Sequence, residues 1–410
     1  MVVFPQIAYN FPLPQMIPVR QNFPDERIED VNAAVDREFA REEIRSRIFP
    51  GASVAVLVGS RGICDIHIVV RRVIQNIKHL GGNPFIVPAM GSHGNGNAEE
   101  QQKILESYQI TEAFTGAPIR SSMDTVLIGK SEDGVEVYAD KNAANADIII
   151  PVCRIKCHTV FHGPYESGIC KMLTIGLGKH KGCSRLHQEN IDNFATVLPK
   201  AAKVAIEKLP VAFAIALIEN AHEHLHTICA VPAEEIMEKE PELLKLSKSL
   251  MPKLQFDHLD VLVVQQIGKD ITGDSMDPNI TGRLAEHPPT EYNGPDITRI
   301  VVNDISEGAH GNVIGVGTAS FITKKAVDKI DFDAMYTNCI ASTDPHAGRI
   351  PIVLADEETA LRAAIFNCPR IDHSQAKVVW IKDTLHLIDI KVSESLLKIC
   401  EADPAHFTVV

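Results

Sequence analysis

The feature that most restricts the fold is a recurring unit: a short apolar run that stops at glycine or a small polar cluster, then an amphipathic stretch. Ala52 to Val58 ends in Gly59-Ser60-Arg61-Gly62 and leads into a helical pattern from about Asp65 to Leu80, closed by Gly81-Gly82. Pro84 to Pro88 ends in Gly91-Ser92-His93-Gly94 and leads into a second, Ala98 to Ser107. The apolar runs Ala146 to Val152, Asp260 to Gln265, Ile297 to Val302 and Ile350 to Leu354 continue the rhythm. Apolar runs too short for helices, alternating with helical patterns, predict parallel strands covered by helices on both faces.

A chain of 410 residues exceeds what one core usually spans, so the pattern is expected to divide into two α/β domains with mostly parallel sheets flanked by helices. The border is placed near residue 255, giving domains 1–255 and 256–410, with the active-site cleft between them. Residues 1–24 read as an extended arm with one or two edge strands. Asp25 is a candidate cap for a helix from Glu26 to about Ser46. Val211 to Leu217 and Leu225 to Val231 read as a hairpin, and Val378 to Lys382 and Leu387 to Lys391 as short strands. A polar, Pro-rich loop is expected up to about Asp296.

The net charge of −13 disfavours a nucleic-acid binder, which normally shows a basic face. No apolar run approaches the roughly 18 residues of a membrane span, and the first residues lack the basic start of a signal peptide. A cytoplasmic protein with no nucleic-acid or membrane partner is expected. The nine cysteines are scattered, without the repeated tight pairs of structural metal sites, and read as partly buried thiols.

The densest chemistry follows the run Ala146 to Val152. Residues 154–187 hold four histidines (158, 162, 180, 187) and five glycines. In open α/β sheets ligands sit beyond the carboxyl ends of the strands. Those ends supply Arg61, His93, the 154–187 stretch, and Gln266 to Asp270 to one candidate cleft. Histidine is the natural acid/base there, and a lysine among glycines suits an anion or a covalent link. His222, His224 and His226 are read as an exposed hairpin.

Taken together, these pieces resemble the nickel-dependent lactate racemase family. Gly91-Ser92-His93 is similar to the family's Gly-Thr-His, whose histidine is an acid/base. Ser167-Gly168-Ile169-Cys170-Lys171 matches its Ser-Gly-x-x-Lys, and His187 stands sixteen residues after that lysine, as the family's metal ligand does. Gln266 and Lys269 match a glutamine and lysine three apart. Two departures stand out. The second acid/base histidine is expected ten residues before the lysine, where this chain has Phe161; His158 is favoured, with His162 as runner-up. In the Asp-x-x-Arg element, Asp65 is followed by Ile68, so that Arg61 or Arg71 stands in.

The resemblance implies a racemase or epimerase of a small-molecule 2-hydroxy acid, an isomerase working by reversible hydride transfer. It implies a nickel-pincer nucleotide (pyridinium-3-thioamide-5-thiocarboxylic acid mononucleotide) joined to Lys171. Ser167, Gly168, Asp65 and Arg61 would help hold it, with His187 on the nickel. Gln266 and Lys269 would take the substrate. His93, with His158 or His162, would move the proton. The cell would then need cofactor biosynthesis enzymes. The alternatives are a hydro-lyase or redox enzyme using the same cofactor, or a cofactor-free ligand-binding homologue.

Overall fold

The computed structural model describes residues 10–189, 193–285, 292–342 and 344–410. The arm before residue 10 and part of the Pro-rich loop expected up to Asp296 lie outside them. The chain forms two compact units, one of residues 24–251 and one joining the stretch up to Phe23 to residues 252–410.

Fifteen strands are present among the described residues: β1 Met16–Gln21, β2 Ser53–Val58, β3 Asn83–Pro88, β4 Thr125–Lys130, β5 Glu136–Asp140, β6 Ile148–Arg154, β7 Phe213–Glu219, β8 Leu225–Pro232, β9 His258–Ile267, β10 Asp296–Ile305, β11 Phe321–Thr323, β12 Ile352–Leu354, β13 Val378–Ile381, β14 Asp389–Ser393 and β15 Phe407–Val409. The unit 24–251 carries a five-stranded sheet in the order β3-β2-β6-β7-β8. Its pairs are parallel except β7 with β8, which form the expected hairpin. The other unit carries an eight-stranded sheet, β12-β11-β10-β9-β13-β14-β1-β15, parallel from β12 to β13. The fold is α/β.

The continuous apolar run of β2 follows from burial on both faces. Val54, Val56 and Val58 join one core with the helix Ile66–His79, while Ala55 and Leu57 join another on the opposite side. A strand alternates faces residue by residue, so every position must be apolar. The helix Ala98–Ser107 starts where Asn97 accepts hydrogen bonds from the Glu99 and Glu100 amides, at 2.8 and 3.2 Å.

Three expectations change. β1 is not an edge strand: it pairs antiparallel with β14 on one side and β15 on the other. The first helix starts at Val31 and is capped by Asp30, whose carboxylate takes the Ala33 N–H; it stops at Ala40. Asp25 instead meets the Asn220 amide at 3.0 Å and His224 at 2.7 Å. The glycine-rich stretch after β6 is only partly loop. From Ile169 it winds through a helical turn, a π-helical turn Met172–Gly176 and the helix Lys179–His187.

Candidate functional site

The glycines of that helical run allow close approach rather than irregular backbone. A Cβ on Gly176 would lie 2.6 Å from the Ala89 carbonyl oxygen just beyond β3. With no side chain in the way, the Gly91 N–H reaches the Gly176 carbonyl at 3.0 Å. Gly91 itself has φ +59, a conformation glycine adopts without strain. The Gln101 side-chain amide fixes the same loop by donating to the carbonyls of Gly91 and His93 at 2.9 and 3.0 Å. Buried Lys179 adds a clamp, donating to the Pro88 carbonyl and facing the Asp140 carboxylate at 3.4 Å. Burial lowers the Lys179 ammonium and raises the Asp140 carboxyl, and their attraction opposes both shifts.

These clamps bring three loops to one edge of the five-stranded sheet. From β2 comes Ser60, whose hydroxyl hydrogen-bonds with His93 Nδ1 of the β3 loop; the Tyr108 hydroxyl donates to the Ser60 carbonyl at 2.8 Å. Both His93 and Arg61 are exposed. Asp65 stands ahead of the helix Ile66–His79 in a left-handed conformation, φ 54, without capping it. Lys171 comes from the first helical turn after β6. Burial, then the charges of Arg61 and Lys156, pull its ammonium from the ordinary 10.5 to about 7.

His158 belongs to the same cluster. Its ring stacks on Phe161 at 4.1 Å, and Lys171 Nζ lies 5.9 Å from the Phe161 ring centre. The Val160 N–H donates to His158 Nδ1 at 3.0 Å. Nδ1 therefore carries no proton, and the neutral ring presents its hydrogen at Nε2. Burial, then the charges of Lys171 and Lys156, hold this imidazole well below its usual pKa.

His187 shows the opposite tautomer. Its Nδ1 lies 2.8 Å from the Cys183 carbonyl oxygen, which can only accept, so Nδ1 is protonated, and in the neutral ring Nε2 keeps the lone pair. Nδ1 also approaches the Cys183 thiol at 3.5 Å, and that thiol approaches the Ser92 hydroxyl at 3.6 Å. Burial works against the charge on both groups, yet their contact raises His187 and lowers Cys183.

Ser167 and Gly168 set the entry to the Lys171 turn. Ser167 and Lys156 exchange backbone hydrogen bonds at 2.8 and 3.2 Å, closing the loop after β6. A Cβ on Gly168 would fall 2.3 Å from Glu240 Oε1. Glu240 is buried; its Oε2 accepts the Cys170 N–H at 2.8 Å, and its Oε1 has no partner among the described residues. Burial lifts this carboxyl to about 7. Glu240 and Lys179 went unseen in the sequence because each acts across a long chain separation, 70 residues to Cys170 and 91 to Pro88.

His162 lies in the same loop but differs from His158. Its side chain is 3% exposed, with Nδ1 directed at Glu166 and Cys157. Among the described residues, Cys157, His162 and Glu166 are the group with three donor atoms close enough for one metal ion. The hairpin histidines do not converge: His224 pairs with Asp25, His226 faces Thr227 and Glu26. Gln266 and Lys269 belong to the other unit. Gln266 is still within β9, its side-chain amide 3.5 Å from Asp383, and Lys269, beyond the strand end, donates to the Asn338 side chain.

Residues 15–197 match the family model described as the lactate racemase N-terminal domain. No curated protein matches the chain by sequence. Among solved structures, the lactate racemase apoprotein from Thermoanaerobacterium thermosaccharolyticum aligns with a TM-score of 0.53 at 12% identity, covering 91% of this chain and 99% of that one. A protein from Thermotoga maritima aligns with a TM-score of 0.52 at 13% identity, covering 89% and 99%. At these identities the likeness is one of fold. No helix among the described residues is long and apolar enough to cross a membrane.

Proposed function

We propose that this chain, whose residues 15–197 match the lactate racemase N-terminal domain, racemises or epimerises a small 2-hydroxy acid, using a nickel-pincer nucleotide joined to Lys171. The observation that carries this reading is Lys171 itself. A lysine brought to about 7 is in large part a free amine at neutral pH, the state that forms covalent links. The donor set fits the group in two further respects. Arg61 and Lys156 put positive charge beside Lys171, as a phosphate-bearing nucleotide needs. His187 Nε2 keeps a lone pair while its Nδ1–H is fixed on the Cys183 carbonyl, the second-shell pattern of a metal-binding histidine. Nickel suits imidazole and sulfur donors.

When bound, the nucleotide supplies an acceptor for the hydrogen on the substrate's C2 as hydride. The chain's own residues manage the hydroxyl proton. His93, whose Nδ1 hydrogen-bonds with the Ser60 hydroxyl, is one acid/base group and meets the hydroxyl through Nε2. His158, in preference to the enclosed His162, is the second group, and it begins with its hydrogen on Nε2.

The test is a screen of chiral 2-hydroxy acids with nickel-loaded holoprotein, alongside intact-mass spectrometry. An adduct absent in Lys171→Ala is expected, as is interconversion of enantiomers. His93→Ala and His158→Ala should each lose about 10² to 10⁴ in rate while keeping the adduct. An adduct that persists in Lys171→Ala, or racemisation at the wild-type rate in both histidine variants, would overturn the reading.

A further inference from the structure

We propose that Cys157, His162 and Glu166 form a separate, protein-only site for a divalent cation of the zinc type, distinct from His187 and independent of the reading above. All three lie in the loop that follows β6, within ten residues of chain, and none belongs to the Lys171 turn.

The distances accommodate a cation between the donors. His162 Nδ1 lies 3.4 Å from Glu166 Oε2, and Cys157 Sγ lies 3.7 Å from His162 Nδ1. A charge-assisted N–H to carboxylate bond is about 2.7–2.9 Å long, so the first contact is stretched. Ligand–zinc distances of about 2.0–2.1 Å for nitrogen, 2.0–2.2 Å for oxygen and 2.3 Å for sulfur give tetrahedral edges of about 3.4 Å for N–O and 3.6 Å for N–S. The observed separations match both edges. The three donor atoms all lie within 4.8 Å of one another.

The surroundings hold the donors in place. Glu166 is fully buried and ionised: burial opposes its charge, but His162, Lys248 and the His158 amide bring its carboxyl down to about 2. Glu166 Oε1 takes Lys248 at 2.8 Å and the Gly163 N–H at 3.2 Å, while Oε2 takes the His158 N–H at 2.6 Å. His162 Nε2 is buried without a partner among the described residues, so the ring's polar contacts all lie on the Nδ1 side, toward the other two donors.

On binding, the Cys157 thiol gives its proton to solvent, and Nδ1 of neutral His162 is unprotonated and coordinates. One thiolate and one carboxylate offset most of the charge of the dication and the Lys248 ammonium, leaving one net positive charge. Three protein ligands leave a fourth position for water. Because Glu166 also holds the His158 amide, the cation would fix the backbone from which His158 projects.

The experiment uses the full chain without its nucleotide, stripped with chelator and titrated with Zn²⁺ or Co²⁺. One equivalent should bind, with a thiolate-to-cobalt charge-transfer band and the intense visible bands of tetrahedral Co²⁺. Cys157→Ser should abolish the charge-transfer band and weaken binding at least tenfold, whereas His187→Ala should keep both. Alkylation of wild type with peptide mapping needs no variant: Zn²⁺ should protect Cys157 while leaving other reactive thiols labelled. Absence of binding, a band that survives Cys157→Ser or disappears in His187→Ala, or equal labelling of Cys157 with and without Zn²⁺ would overturn the proposal.

Discussion

Lys171 offers the sharpest test of how the site is built. A fall from 10.5 to about 7 means that about half of the side chain is free amine at pH 7, against roughly 1 in 3,000 for an ordinary lysine. Competitive acetylation of nucleotide-free protein across pH, read by peptide mass spectrometry, measures this directly. The Lys171 labelling midpoint should lie near 7. Arg61→Gln should move it upward yet leave it below 10.5, because burial is the largest cause and Arg61 the second. The same shift carries a stability consequence. Above 10.5 the amine is neutral folded or unfolded, so it costs nothing. As pH falls from 10.5 toward 7, the unfolded chain takes up a proton that the folded chain refuses, and stability drops. The full cost, reached below pH 7, is about 5 kcal/mol. That is a ceiling, since part of the side chain reaches the surface. Lys171→Met should therefore unfold at higher denaturant than wild type at pH 7, with the gain vanishing near pH 10.5. A labelling midpoint near 10.5, or a variant no more stable at pH 7, would refute the reasoning.

Two further outcomes follow from the Glu240 contact. Gly168→Ala puts a Cβ 2.3 Å from Glu240 Oε1 and 2.9 Å from Ile155; it should cost about 1–3 kcal/mol by overpacking, seen as a lower melting temperature, and disturb Lys171 labelling. Glu240 has a folded pKa raised from 4.5 to about 7, so its carboxyl stabilises least above pH 7, and stability should fall by about 3 kcal/mol as pH rises from 4.5 to 7. Glu240→Gln should remove that slope in urea titrations at pH 5 and 8, and parallel pH dependence in both proteins would count against it.

Much of the architecture was legible because local signals agree with the tertiary ones. β2 and β3 are short apolar runs buried on both faces, and Asn97 stands where a cap is needed. Local signals misled where glycine serves packing. Gly176 and Gly182 read as loop residues, yet they lie in a helical run pressed against Ala89 and Tyr138, partners invisible along the chain. The histidine chemistry was legible in kind but not in state. Nothing local announces that Ser60 meets His93 across 33 residues of chain. The Cys157, His162, Glu166 spacing lacks the repeated tight cysteine pairs that mark structural metal sites in a sequence.

The place of β1 between β14 and β15 bears on how the protein is made. Met16 pairs with Ser393 and Val19 with Val409, so β1 waits for partners that leave the ribosome far later. At about 5–20 residues per second that wait is on the order of tens of seconds. Residues 24–251 are complete well before, so one unit can fold on the ribosome while the other is still missing its last strands. During that time β1 is a nascent strand with both edges bare. Pro18, which lacks an N–H in the middle of the strand, makes it a poorer template for the wrong partner.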